Sequence, residues 1–378
     1  MFSDPIYSGL PDWTPTAERA SALIPLATTG LAAAYLAATA EFAQTLRLRL
    51  PDGPVQREGT NLRYAAIAAL GLSRAGAARS DLVLRGKPLD SFTRTIVDRA
   101  GNGAESGAVA LAAWAVAEVL GEPSRSLLDR MRELLTADRP IPVVDTAWML
   151  TAAVASDDSE LAALARDALL GAQGGDGIFP HAIPAASLGR WRAHVGCFAD
   201  QIYPIQALAR FAAQFNDAEA LAAANRTAAR ICEVQGSAGQ WWWHYDARDG
   251  SVVEQYPVYS VHQHGMAPMA LFDLAAAGGV DHLDAIDLGF RWLTTRPETT
   301  EPLISGRHSL IWRKVGRREP PKFVRKASAV TTSVRPGWRL PARDTLFPPG
   351  PIDHECRPYE LGWLLYSWAS QPIAKETP

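Results

Sequence analysis

The feature that most constrains this chain is the regular alternation of helical stretches with capping and turn residues along its 378 positions. Asn61 is a good N-cap, and Leu62, Ala66, Ala69 and Leu70 follow on one face, predicting a helix over 62–75. Asp90 opens another to about Ala100, where Gly101-Asn102-Gly103 stops it. Helical patterns continue at about 105–120, 124–137, 143–155 and 158–171, separated by Gly121-Glu122-Pro123, Pro140-Ile141-Pro142 and Asp157-Asp158. After a loop from Gly174 to Gly196 they resume at about 199–215, 217–234, 264–277 and 281–295, with a last one at 357–370. The first is expected from about Gly30 to Leu48, with Ala33, Ala37 and Ala40 on its close-packing face. It follows a turn-rich start (Pro5, Pro11, Pro15) and ends at Pro51-Asp52-Gly53-Pro54.

Twelve helices in pairs close naturally into an all-α (α/α)6 toroid, six inner and six outer, expected as one domain over 1–378. An open solenoid is the competing architecture, and it calls for a sharper repeat. Residues 297–356 interrupt the pattern with nine prolines and the aromatics Trp312, Trp338 and Phe347. Ser309–Val315 and Val330–Val334 read as strands of a hairpin there. So long a segment in a compact fold is expected to serve as a lid or flange over the toroid mouth.

The totals exclude several function classes. A net charge of -3 leaves no footprint for nucleic acid. Arg317-Arg318 with Lys322, Arg325 and Lys326 form a local basic patch, read either as a solvated loop or as an anion site. Cys197, Cys232 and Cys356 are odd in number and far apart, so they read as core thiols in a reducing, cytoplasmic setting. The N-terminal residues lack a basic region before an apolar stretch, so no signal peptide is expected. Leu23 to Ala40 is uncharged but rich in Ala and Thr, with Pro25 and Gly30 inside, favouring a buried helix over a membrane span. No stable membrane insertion, cofactor or metal is expected, and nothing sets an oligomeric state.

The chemistry concentrates between Trp241 and Met266, where three tryptophans, three tyrosines and three of the eight histidines fall together. Trp241, Trp242 and Trp243 suit an aromatic wall for a sugar ring or a polyene, though successive residues of an extended chain cannot all face one way. The bland alternative is a turn whose tryptophans plug the core. His262 and His264 would share a face if extended, yet no His-Glu-x-x-His spacing accompanies them. Cys197 sits in an apolar setting unsuited to a thiolate. For proton transfer the candidates are Glu254, Tyr256, His262, His264 and Tyr359. Trp241, Trp242, Trp243, His244, Tyr259, Arg357 and Glu360 are candidates for binding substrate. Arg357-Pro358-Tyr359-Glu360 opens the last helix, where an arginine can hold a carboxylate or simply join a capping cluster.

Two resemblances sharpen these readings. Gln173 to Phe179 and Gln235 to Trp241 both read Gln-x3-Gly-x-aromatic at a helix end. This resembles the Gln–Trp repeat of triterpene cyclases and their prenyltransferase relatives, which are α/α toroids, and turns in six-hairpin sugar enzymes. Glu254-Gln255-Tyr256-Pro257, Gly265-Met266 and Leu271-Phe272-Asp273-Leu274 resemble the catalytic region of glucuronyl C5-epimerases, which read Glu-Glu-Tyr-Pro, Gly-Phe-Met and Leu-Tyr-Asp-Leu. Ala199-Asp200-Gln201 with Ile205, Leu208 and Arg210 is similar to a helix of that family, as Arg307-His308 is to a pair in it. Tyr359 falls where a catalytic tyrosine precedes the last helix, while Glu360 stands where the family has His.

The epimerase resemblance implies an enzyme moving a proton on a uronic-acid-containing glycan, by epimerase or lyase/hydrolase chemistry. The substrate is then a small molecule or oligosaccharide. Tyr256 and Tyr359 are expected to converge on one cavity with a histidine between them. The rival is a terpenoid cyclase or prenyltransferase-like enzyme, but Asp-x-Asp-Asp and Asp-Asp-x-x-Asp are both missing from the chain. A non-catalytic glycan-binding toroid is the third reading.

Overall fold

The computed structural model describes residues 15–370 apart from 51, 52, 102, 104, 321 and 340. The turn-rich residues 1–14, the Pro51-Asp52 half of the predicted corner and Asn102 of the predicted stop lie outside the described residues.

The helices are α1 (Thr16–Ala34), α2 (Leu62–Ala75), a short α3 (Ala77–Leu84), α4 (Leu89–Gly101), α5 (Ser106–Leu120), α6 (Arg125–Thr136), α7 (Val143–Ala155) and α8 (Ser159–Ala172). They continue as α9 (Phe198–Phe215), α10 (Ala218–Glu233), α11 (Ala267–Ala276), α12 (Leu283–Thr295), α13 (Phe323–Val334), a short α14 (Arg343–Leu346) and α15 (Pro358–Trp368). Burial divides them by pattern. α5 is buried at every position from Gly107 to Ala117, as a helix apolar all round must be. α6 buries only Leu127, Leu128, Met131 and Leu134, one stripe of an amphipathic helix.

The inner helices α2, α5, α7, α9, α11 and α15 pack each on the next, and α15 returns to α2 to close the ring. The closure is tight: a Cβ on Gly71 of α2 would lie 2.4 Å from the Gly362 carbonyl of α15, so only glycine fits. The outer layer is α1, α4, α6, α8, α10 and α12. Trp114, Trp241, Trp292 and Trp363 are fully buried in this core. Each such side chain removes about 150–250 Å² from water, of order 4–6 kcal/mol of transfer free energy.

The repeated Gln turns are ties between successive outer helices. Gln173 Nε2 donates to the Ala223 carbonyl of α10 at 2.9 Å, and Gln235 Nε2 donates to the Ala285 carbonyl of α12 at 3.0 Å. Each amide also reaches the carbonyl of its own turn's glycine, Gly177 or Gly239. Both glycines take positive φ, 83° and 100°, which delivers Phe179 and Trp241 into the core.

Three expectations are corrected. The first helix runs over 16–34 rather than 30–48, and it contains Pro25; Thr28 and Thr29 bond back to the carbonyls of Ile24 and Pro25. Residues Glu41–Leu48 form a strand instead, paired with Val55–Thr60 and with the distant Glu355–Cys356. Val330–Val334 is not a strand but the end of α13; the short strands near it are Leu310–Ile311 and Lys314–Arg317. His262 and His264 lie in a π-helical turn, His262–Met266, leading into α11, so they do not share a strand face.

Because inner and outer helices alternate, every inner helix begins at the same end of the ring. The long connections before α2, α9, α11 and α15 all meet there. A three-stranded sheet stands over this end, with Cys197 opposite His244 and His244 opposite Glu254. α13 packs against its last strand, Val252–Glu254.

Candidate functional site

At this mouth lies a cavity of about 410 Å³. Its floor comes from Cys197, Trp243 and His244, one side from His181, Trp191 and Arg192, and its cover from α13 with Lys322, Arg325, Lys326, Ala329 and Val330. Trp243 Nε1 and His244 Nδ1 are buried and have no hydrogen-bond partner.

The cavity is strongly cationic. Arg192, Lys322, Arg325 and Lys326 line it, and none forms an ion pair with a described residue. Arg192, Lys322 and Lys326 are exposed and solvated and Arg325 is half-buried, and together they set a positive field at the mouth that draws anions. Their field also acts on His244, whose pKa is pushed well below 6.5, first by burial and then by Arg325 and Arg192. That imidazole is neutral at physiological pH.

Beside it stands a histidine–carboxylate pair. Asp200, in the first turn of α9, accepts from the Cys197 backbone N–H at 2.6 Å and holds His181 Nδ1 at 2.9 Å. The next residue, Gln201, clamps the Phe179 peptide from both sides, accepting from its N–H at 2.7 Å and donating to its carbonyl at 2.9 Å. The clamp fixes the loop two residues before His181. Asp200 is fully buried, whereas the His181 side chain is 43% exposed toward the cavity it lines. The hydrogen bond and charge of Asp200 raise the His181 pKa above 6.5. With Nδ1 so engaged, Nε2 is the atom left for a ligand. His181, Cys197 and Asp200 are also the one group of described residues whose ligand atoms, all within 4.8 Å of one another, have metal-binding spacing. Burial holds the Cys197 thiol far above its usual pKa.

The predicted site residues separate into three sets. Trp243 and His244 line the cavity itself. Next to them, the Tyr259 ring lies 4.7 Å from that of Trp243, with the Arg313 guanidinium 5.0 Å above Tyr259. Arg313 leads on to Glu360 at 3.1 Å, and Tyr359 stacks on Tyr64 at 4.8 Å, where Arg357 Nη1 donates to the Tyr64 hydroxyl at 2.9 Å. Glu360 also closes a capping box by accepting from the Arg357 N–H, and burial raises its pKa to about 7.

The second set is buried behind the cavity. His262 is stacked on Phe198 at 4.3 Å and lies nearly parallel to Trp243, while His264 has no partner at either ring nitrogen. Burial lowers both to about 3, so both are uncharged imidazoles at neutral pH. Trp241 is a core residue.

The third set holds the covering segment. Glu254 is 1% exposed; its carboxylate meets Arg317 at 2.9 Å and Arg343 at 3.2 Å, and accepts from the Ser328 hydroxyl at 3.1 Å and the Tyr256 N–H at 3.0 Å. Tyr256 donates to Glu298 at 3.0 Å and packs on Trp242 under Arg317. Tyr256 and Tyr359 therefore belong to separate networks and do not face each other across a cavity.

Sequence reasoning missed His181, Asp200, Trp191 and Arg192 as members of one site. Arg190-Trp191-Arg192 in the 174–196 loop was the legible signal, a basic–aromatic cluster that complements Lys322, Arg325 and Lys326 of the basic patch. The His181–Asp200 pairing across a loop and a helix had none.

No protein-family model and no curated protein matches the chain. Solved structures do share its fold. An unsaturated glucuronyl hydrolase specific for heparin superposes with a TM-score of 0.57 at 11% identity, covering 94% of this chain and 96% of that one. A possible member of the GH105 family from Klebsiella pneumoniae gives 0.56 at 12%, with 98% of each chain covered. An unsaturated glucuronyl hydrolase from Streptococcus agalactiae gives 0.53 at 10%, covering 98% of this chain and 95% of that one. At such identities the likeness is one of fold, the (α/α)6 toroid. None of the three is an epimerase. Among the described residues no helix is long and apolar enough to cross a membrane.

Proposed function

We propose that this chain is a carbohydrate-active enzyme that binds a uronic-acid-containing glycan in the cavity beneath α13 and moves a proton beside the sugar carboxylate. The observation that carries this reading is one cavity combining four unpaired cations, two tryptophans and an Asp-oriented histidine. Cations neutralise a carboxylate, aromatic faces stack on sugar rings, and the histidine supplies or takes the proton. The fold shared with enzymes named as glucuronyl hydrolases supports the substrate class.

In this mechanism Arg192 and Arg325 hold the uronate carboxylate against the floor. Pairing lets negative charge that develops at the neighbouring carbon spread into the carboxylate. His181 Nε2 exchanges the proton while Asp200 stabilises the imidazolium through Nδ1. Trp243 and Trp191 position the ring. Arg357 and Tyr359 serve the next sugar along the mouth, with Glu360, buried and held by Arg313 and the Arg357 N–H, fixing their position. Glu254 and Tyr256 act by holding the covering segment as a lid, and His262 and His264 as packing beneath the floor.

The same cations and tryptophans also suit an isoprenoid diphosphate, so the test sets the two ligands side by side. Calorimetry with a uronic-acid oligosaccharide and with a prenyl diphosphate plus magnesium decides the class. Deuterium uptake from heavy water into the sugar, read by mass spectrometry, then reports chemistry. The expected result is sugar binding, with label uptake lost by about 10²–10⁴-fold in His181→Asn. Magnesium-dependent diphosphate binding without sugar binding overturns the reading. Sugar binding with no label uptake and no bond change replaces it with a non-catalytic glycan-binding toroid.

A further inference from the structure

α13 is built inside out. Toward the protein it buries Ser328 and Thr332 beside Val324 and Ala329. Toward solvent it presents Phe323, Val330 and Val334, 50%, 43% and 67% exposed. These three sit at i, i+7 and i+11, one stripe of the helix. The inversion is pinned in place: Ser328 bonds Glu254 at 3.1 Å, and Thr332 meets His194 Nε2 at 2.9 Å. The helix cannot roll its apolar stripe inward without breaking these bonds. Trp338 just beyond its end is 48% exposed and Leu346 of α14 is 68% exposed. Leu346 is brought alongside by the contact of Phe347 with Phe323, ring centroids 5.5 Å apart. Half of the large hydrophobic side chains exposed among the described residues thus lie between 323 and 346.

The same surface is basic. Of the ten Lys or Arg between residues 313 and 343, Arg313, Lys314, Arg317 and Arg343 are paired with carboxylates, and the surface charge comes from others, with Glu319 the one acid of that stretch. Arg318, Lys322, Lys326 and Arg335 are exposed there and form no ion pair with a described residue.

We propose that this face docks peripherally on a membrane surface rich in anionic lipid. Aliphatic and aromatic side chains rimmed by cations match the boundary between headgroups and acyl chains, where both terms add. A hydrated glycan gains little from Val334 and Leu346. A second copy of the chain would set one basic face against another. Docked this way, the cavity, whose cover is the same helix, opens along the lipid surface. The inference stands on the face of α13 and does not rest on the sugar reading of the cavity.

The test is co-sedimentation of the full chain with vesicles of equal parts phosphatidylcholine and phosphatidylglycerol, against phosphatidylcholine alone. Binding is expected only with the anionic lipid. It should weaken by about tenfold or more in Phe323→Ser/Val334→Ser/Leu346→Ser through lost acyl contact. It should fall about fivefold per charge in Arg318→Gln and Arg335→Gln. Circular dichroism melting shows that each variant is folded. No binding to anionic vesicles by the intact chain overturns the proposal. Equal binding by the folded serine variant does the same, as does a dimer in sedimentation velocity that this variant dissolves.

Discussion

Replacing Glu254 with alanine separates the two roles this residue can play. In the structure its carboxylate is the buried acid shared by Arg317 and Arg343, which also share the exposed carboxylate of Asp344, and it takes bonds from Ser328 and the Tyr256 N–H. Arg317 keeps Asp344 at 2.8 Å and the Phe347 carbonyl at 2.9 Å, and Arg343 keeps Gln255 at 3.1 Å. Both guanidiniums nevertheless remain buried, next to a cavity where a carboxylate had been. Breaking one side of a buried ion pair costs about 3–5 kcal/mol. Because Ser328 lies on α13, and Arg317 and Arg343 lie on either side of it, the loss falls first on the covering segment. Local opening of α13 should then rise roughly 10²–10⁴-fold, since each 1.4 kcal/mol is a factor of ten. Hydrogen exchange of the amides from Val324 to Val334 measures this directly. Glu254→Gln, which keeps one acceptor for the Tyr256 N–H and Arg317, should cost less, about 1.5–3 kcal/mol. If α13 exchanges in Glu254→Ala as it does in the unaltered protein, while turnover collapses, the carboxylate works on substrate and the pinning argument fails.

Four further outcomes follow from the geometry. Turnover should rise with pH through a His181 pKa above 6.5, because the base must be neutral to take a proton; Asp200→Asn removes the raising charge and should move that limb to lower pH in a rate profile. By linkage, the stabilisation from the His181–Asp200 pair is fully present below about pH 6.5 and is lost as the pH climbs through the raised value, which urea titrations across that window would read. Gly239→Ala should destabilise by about 3 kcal/mol or more by chemical denaturation, since its Cβ would lie 2.0 Å from the Leu288 carbonyl at a φ of 100°. Trp243→Ala should weaken ligand binding with a modest change in stability, whereas Trp241→Ala should cost about 3–5 kcal/mol of stability and leave binding nearly intact, as calorimetry and denaturation together would show.

What the sequence alone determined is the toroid. Eleven of the twelve predicted ring helices correspond to observed ones because their signals are local: Asn61 caps α2 through the Tyr64 N–H, Asp158 and Asp217 cap α8 and α10, and apolar periodicity marks each face. The Gln173 and Gln235 turns were legible for the same reason, each being a short motif whose glycine must take positive φ. The failures are non-local. Glu41–Leu48 reads as helix taken alone; pairing with Val55–Thr60 on one edge makes it a strand, and Glu355–Cys356, some three hundred residues away, covers its other edge. Val330–Val334 is β-prone in isolation, yet Glu254 and His194 hold Ser328 and Thr332 in a helix that no pattern of burial in the segment itself would predict. The site divides likewise. The sequence marked Trp243 and His244 by their density of chemistry, but it marked Glu254, His262 and His264 by the same rule, and only packing sorts them: desolvation keeps two imidazoles uncharged, and one carboxylate is consumed by two arginines. His181 reaches Asp200 because a glutamine clamps the loop between them. The basic residues of 192 and 322–326 become one anion site only when the ring closes and α13 is laid across its mouth, since charge acts through space rather than along the chain.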